Sequence, residues 1–269
     1  MNMFLIDNVV SIRFGFFMGI FLSMALWEMI APRRPLTQSK LTRWANNLAL
    51  TSFNTLLANL VFPAAAVGTA LYAEEKGWGL FQYMAAPGGL EGLAAIVLFD
   101  LVIYIQHVLF HRIPFLWRFH RMHHTDLDID VTTGARFHPV EILLSVVIKM
   151  GVIIVIGPAA WSVIVFEILL NTTSMFNHSD ILLHVKGDAM LRLLVVTPDM
   201  HRVHHSVIIR ETNSNYGFNF SWWDRIFSTY QAQPVAGHTG MTLGLANYRE
   251  PKWLLFHWML MVPLMRKER

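Results

Sequence analysis

The sequence contains no cysteine, which excludes disulfides, thiolate-bound zinc, thiolate haem and cysteine-held iron–sulfur clusters. Any metal must therefore be held by nitrogen or oxygen. Charge is also scarce, at 14% of residues against 54% hydrophobic, and the mean hydropathy is +0.43. A chain of 269 residues with that balance is too apolar for an ordinary soluble domain and reads as an integral membrane protein. The formal charge of +3 does not point to nucleic acid, because the basic residues sit in short loops beside apolar spans and form no continuous patch. No cleavable signal stands out in MNMFLIDNVVSIR, where Asp7 precedes Arg13 and no small-residue cleavage site follows, so the first span is expected to remain as an anchor. Without repeats or low-complexity segments, one membrane domain is expected. It divides into N-terminal transmembrane helices (1–89), a histidine-rich region (90–232) and an interfacial C-terminal segment (233–269).

What is present is a set of runs long enough to cross about 30 Å of hydrocarbon. They are Val9 to Ala31, Trp44 to Tyr72 with a kink at Pro63, Leu90 to His111 interrupted by Asp100, and the pair Val140 to Ile156 and Ala159 to Phe176. Only Gly157-Pro158 separates that pair, a tight-turn signal that predicts two antiparallel helices. The loop after the first run holds Arg33, Arg34, Lys40 and Arg43 without an acid, whereas the next holds Glu74, Glu75 and Lys76. Excess positive charge marks cytoplasmic loops, so the first loop is expected inside. Counting crossings then brings His107, His111 and His178 to that same face.

Thirteen histidines are present, eleven of them between His107 and His205. Their spacings include His107-x3-His111, His120-x2-His123-His124 and His201-x2-His204-His205. On a helix, positions i, i+3 and i+4 share a face. Three charged imidazoles on one face would repel one another, and three neutral ones would lack partners in a dry site. A metal ion answers both difficulties. Eight or nine histidines exceed the four to six ligands of one ion, so two ions are expected, and spacing alone leaves Fe, Zn, Cu and Ni open.

The series HVLFH, HRMHH, RFHPVE, NHSD, TPDMHRVHHS, NSNYGFN and WWDRIFSTY resembles the fatty acid hydroxylase and sterol desaturase superfamily over roughly residues 90 to 232, with a weaker echo in GLANYREP. The resemblance implies an all-α membrane helical bundle with a non-haem di-iron centre, two Fe ions, that uses O2 to hydroxylate or desaturate a lipid C–H bond. It implies as ligands His107, His111, His120, His123, His124, His178, His201, His204 and His205, with His138 as a tenth member. His184 has no counterpart and reads as a local residue. Ser228 stands where glycine is common, a change expected to affect only a turn. The one His-Pro is followed by Val140 rather than by the glycines of a cytochrome-b5-type loop, so electrons are expected from a separate protein. Two other readings stand beside this one: a zinc-dependent membrane hydrolase, for which so many histidines are excessive, and a metal transporter, which would place polar residues along several spans.

Thr197-Pro198 predicts a helix start, with threonine capping and proline in the first turn. Asp100, Asp126, Glu141 and Asp224 are candidates to hold a ligand's second ring nitrogen. Asp100 is preferred, since it shares a helical face with His107 and an acid within a span is costly unless it is paired or functional. Asp126 alternatively reads as solvent-exposed. Trp222, Trp223, Trp253 and Trp258, with His238 and His257, read as interfacial. WLLFHWMLMVPLM, followed by Arg266, Lys267 and Arg269, reads as a segment lying on the cytoplasmic leaflet.

Overall fold

The computed structural model describes residues 2–63, 65–84 and 88–265; Arg266, Lys267 and Arg269 lie outside them. The fold is all-helical, and the described residues contain isolated bridges but no strand. Eight helices position the site: α1 (Val9–Ile30), α2 (Lys40–Val61), α3 (Ala65–Lys76), α4 (Gly88–Arg112), α5 (Pro114–His120), α6 (Pro139–Ile156), α7 (Ala160–Asn177) and α8 (Pro198–His204).

The bundle is apolar on the outside. On α1, Leu22, Leu26, Met29 and Ile30 face outward, and only Phe21, Ala25 and Glu28 are buried. Helix α2 buries Arg43, Asn47, Leu50 and Asn54, a mainly polar stripe at helical spacing, while Leu41, Leu56 and Leu60 point out. Exposed apolar faces of this size suit lipid contact. Among the described residues, Val9–Ile30, Lys40–Met84, Gly88–Arg112 and Pro139–Ile156 are long and apolar enough to cross a membrane.

The fifth expected crossing, α7, is not among them. Glu167, Asn171, Thr172, Thr173 and Ser174 dilute its apolar content, which is tolerated because α1, α3 and α4 pack around it. The kink expected at Pro63 is a full break, with α2 ending at Val61 and α3 starting at Ala65. Proline lacks the N–H that would continue the ladder. The turn between α6 and α7 forms as predicted: Gly157 is left-handed, with φ 62°, and its N–H donates to the Ile153 carbonyl at 2.8 Å. A side chain there would also meet the Trp78 carbonyl at 2.2 Å, so glycine is required twice over. Helices α6 and α7 meet through the Lys149–Glu167 ion pair, and α3 lies against both.

Candidate metal centre

Helix α4 presents His107 and His111 one turn apart. Helix α5 ends at His120, and the following 3-10 turn carries His123 and His124. His178 caps the C-terminus of α7. Helix α8 supplies His201 and His204, with His205 at its C-terminal cap, and it begins as predicted: Pro198 occupies the first turn and the Thr197 hydroxyl accepts from the Met200 N–H at 3.4 Å.

These elements gather nine imidazoles into two buried groups: His107, His111, His120, His124 and His204, and His123, His178, His201 and His205. Within each, one ligand atom per residue lies within 4.8 Å of every other. The consecutive pairs His123-His124 and His204-His205 each divide between the groups.

The tautomers are set from outside. Nδ1 of His107 donates to the Tyr216 carbonyl (2.8 Å), that of His123 to Arg136 (3.0 Å), that of His178 to Ser174 (2.8 Å) and that of His204 to Ser214 (2.8 Å). Carbonyls only accept, so these rings carry the proton on Nδ1 and turn a bare Nε2 inward. His120 is held likewise, its Nδ1 donating to Glu141 Oε1 at 2.7 Å.

Bare nitrogens nevertheless face each other closely. His107 and His120 have Nε2 atoms 3.2 Å apart, and His123 and His178 have theirs 3.1 Å apart. Two lone pairs at that distance repel unless a cation lies between them. With metal–nitrogen bonds of about 2.0–2.1 Å, neighbouring ligands on one ion stand about 3.0–3.4 Å apart. The separations thus fit imidazoles that share an ion.

Electrostatics agree. Burial pushes His204 down to about 3 and His178 to about 4, and holds His123, His124, His201 and His205 well below the usual imidazole range, with neighbouring imidazoles adding to the effect in His204 and these four. Neutral imidazole is the form that binds metal. Among the described residues, His204 Nε2 and both ring nitrogens of His205 have no protein partner, a costly arrangement in a dry interior. The donor set therefore suits two ions with nitrogen ligands.

His138 lies outside both groups. It caps α6, its Nδ1 accepting from the Val140 N–H at 3.2 Å and its Nε2 donating to the Leu260 carbonyl at 3.4 Å. His184, exposed, caps the short helix Val185–Leu191.

The preferred carboxylate also differs from expectation. Asp100 accepts from the N–H groups of Asn219 and Phe220 and from Trp223 Nε1, so it holds the loop whose Tyr216 carbonyl orients His107 and does not touch the ring. Asp224 ties the same loop through the Tyr216 and Gly217 N–H groups. Glu141 is the acid that meets an imidazole, near the start of α6 in RFHPVE.

Asp126 is 1% exposed, not at the surface. Arg43 grips both its oxygens at 2.8 and 2.9 Å and also pairs with Asp130. Burial favours protonation of Asp126, but Arg43 and Arg136 outweigh it and hold the carboxyl below its usual range. Arg136 is itself anchored by Asn47, Thr125 and the Trp253 carbonyl. Trp253 and His238 are buried too, so their side chains pack inside the protein. The basic loop after α1 packs on the histidine side: the Arg33 N–H donates to the Asp180 carbonyl (2.7 Å) and its Nε to Asp199 (3.1 Å).

A cavity of about 330 Å³ opens beside the first group, lined among others by His107, His120, Phe110, Phe137 and Leu170.

Comparison with curated proteins finds an ornithine lipid hydroxylase of Rhizobium tropici, 26% identical over 70% of this chain and 53% of the relative. The human alkylglycerol monooxygenase is 26% identical over 59% of this chain and 34% of its own length. A zebrafish cholesterol 25-hydroxylase-like protein is 28% identical over 56% of this chain and 62% of its length. The chain thus spans about a third to three fifths of these relatives. No solved structure matches. The fatty acid hydroxylase family model matches residues 92–229, the stretch that contributes α4 through α8 and all nine clustered histidines. By that match, over half of its length, the chain belongs to the fatty acid hydroxylase family.

Proposed function

We propose that this protein is a membrane-bound oxidoreductase that uses O2 to hydroxylate a lipid C–H bond at two iron ions. One ion is assigned to His107, His111, His120, His124 and His204, and the other to His123, His178, His201 and His205. The observation that carries this reading is the pair of close Nε2···Nε2 approaches between rings whose protons are fixed on the outer nitrogen. Relatives named as hydroxylases and a monooxygenase favour hydroxylation over desaturation.

Iron held by these histidines would supply the activation of O2 needed to oxidise an unactivated carbon. The residues of the chain do the rest. Glu141 and the carbonyls of Tyr216, Arg136, Ser174 and Ser214 keep each lone pair aimed inward. Burial keeps the rings neutral. Phe110, Phe137 and Leu170 shape an apolar path that brings one carbon toward His107 and His120 and keeps water away. Electrons come from a separate protein. The metal side is assigned to the cytoplasm, on the side of the loop holding Arg33, Arg34 and Lys40.

The test combines metal analysis of the purified protein with a comparison of lipids in cells with and without the gene product, under O2 and under nitrogen. About two irons per chain and an oxygenated lipid made only under O2 are expected. Turnover under nitrogen with zinc bound would overturn the proposal in favour of a hydrolase.

A further inference from the structure

The cavity that reaches His107 and His120 has a second, charged end. Lys149 on α6 donates to Glu167 Oε1 on α7 at 2.6 Å, and Arg13 on α1 approaches Glu167 Oε2 at 3.0 Å. All three side chains line the cavity. Those of Lys149 and Glu167 are 13% and 8% exposed, whereas Arg13, at 42%, stands at the rim.

Two cations face one carboxylate, which leaves an excess positive charge. An ammonium carries three donors and a guanidinium five, and Glu167 engages one nitrogen of each. Ionisable groups within apolar spans are expensive, and neutralising Glu167 requires only one cation. The second cation calls for another anion. Between Glu141 and Lys149, α6 lines the cavity with Ile142, Ser145 and Val146, Ser145 accepting from Gln106 Nε2 at 2.6 Å, and Ile103 and Leu170 add apolar wall. On α6, Lys149 lies eight residues beyond Glu141, the partner of His120, which is about 12 Å along the helix axis.

We propose that Lys149 and Arg13 bind the anionic head of a single-chain amphiphile, whose chain runs past the apolar wall toward His107 and His120. The distance between the charged end and the histidines would then select the carbon that is oxidised. That selection rests on the lipid-oxidation reading above; binding of the head does not.

The test measures binding of radiolabelled hexadecanoate to the metal-loaded protein in detergent, with hexadecanol and acetate as competitors. Wild type is expected to prefer hexadecanoate over hexadecanol by about tenfold, equivalent to about 1.4 kcal/mol, and acetate is not expected to compete. Lys149→Met or Arg13→Gln should bring the preference close to one, while Glu167→Gln, which removes the competing carboxylate, should increase it. A purely structural ion cluster predicts no such opposite movement. An unchanged preference in either folded cation variant overturns the proposal, and so does effective competition by acetate. Because binding requires neither O2 nor electrons, retained selectivity without turnover would fail only the oxygenase reading. Lost selectivity with turnover intact would fail only this one.

Discussion

Glu141 accepts the Nδ1 proton of His120 through Oε1 at 2.7 Å, and it is the one carboxylate that touches a clustered imidazole among the hydrogen bonds described. Its other oxygen, buried beside the cavity, has no partner among the described residues. The acid thereby fixes the tautomer of one ring that lines the cavity.

Glu141→Gln keeps the shape but replaces the charge with a weaker acceptor. A loss of about 10- to 100-fold in metal affinity or turnover is expected, read by iron titration and product assay. Wild-type iron affinity and turnover in this variant would show that the contact does not tune the site.

The five-and-four division predicts separable losses of metal. His204→Ala should deplete the first group and His123→Ala the second, each leaving about one ion of two and no oxygenation. Elemental analysis of the folded variants checks this; two full equivalents in either variant would contradict the assignment.

Acid should destabilise the metal-stripped protein. Burial lowers His178 to about 4 and His204 to about 3, below the 6.5 of an unfolded imidazole, so between those values the unfolded chain binds more protons. The stability they contribute is present above about pH 6.5 and is lost as pH falls toward 4. Thermal unfolding after chelation should show Tm falling across that window, while iron-loaded protein holds to lower pH. A flat profile for the stripped protein would contradict neutral, buried rings.

Arg43→Met leaves Asp126 and Asp130 buried without their cation, a change expected to cost about 3–5 kcal/mol. The double variant Arg43→Met with Asp126→Asn should recover part of that loss in thermal unfolding. Equal stability of wild type and the single variant would mean that the ion cluster does not hold this loop.

Ser228 is exposed and left-handed, with φ 57°, a conformation that favours glycine. Ser228→Gly is expected to stabilise by about 1 kcal/mol and Ser228→Val to destabilise, both read as shifts in Tm.

Helix bounds and the three histidine boxes were legible because both follow from local patterns, but the groupings were not: His123 parts from His120 and His124, and His204 from His201 and His205. Apolar run length marked α1, α4 and α6 to within about two residues, and i, i+3, i+4 spacing marked the boxes. The errors concern partners distant in sequence. Asp100 does share a face with His107, but the chain near residue 220 takes its oxygens first. Asp126 read alternatively as solvent-exposed, because Arg43, which buries it, lies 83 residues earlier. Glu141 was visible but not distinguishable, since its contact with His120 depends on how α5 meets α6.

Neighbours in the chain belong to opposite histidine groups at His123-His124 and again at His204-His205. A single Cα step of about 3.8 Å therefore acts as a fixed spacer between the two sites, repeated on either side of the pair. Inserting one alanine within either dipeptide would keep every imidazole yet ruin the gauge, a lesion that no substitution could imitate.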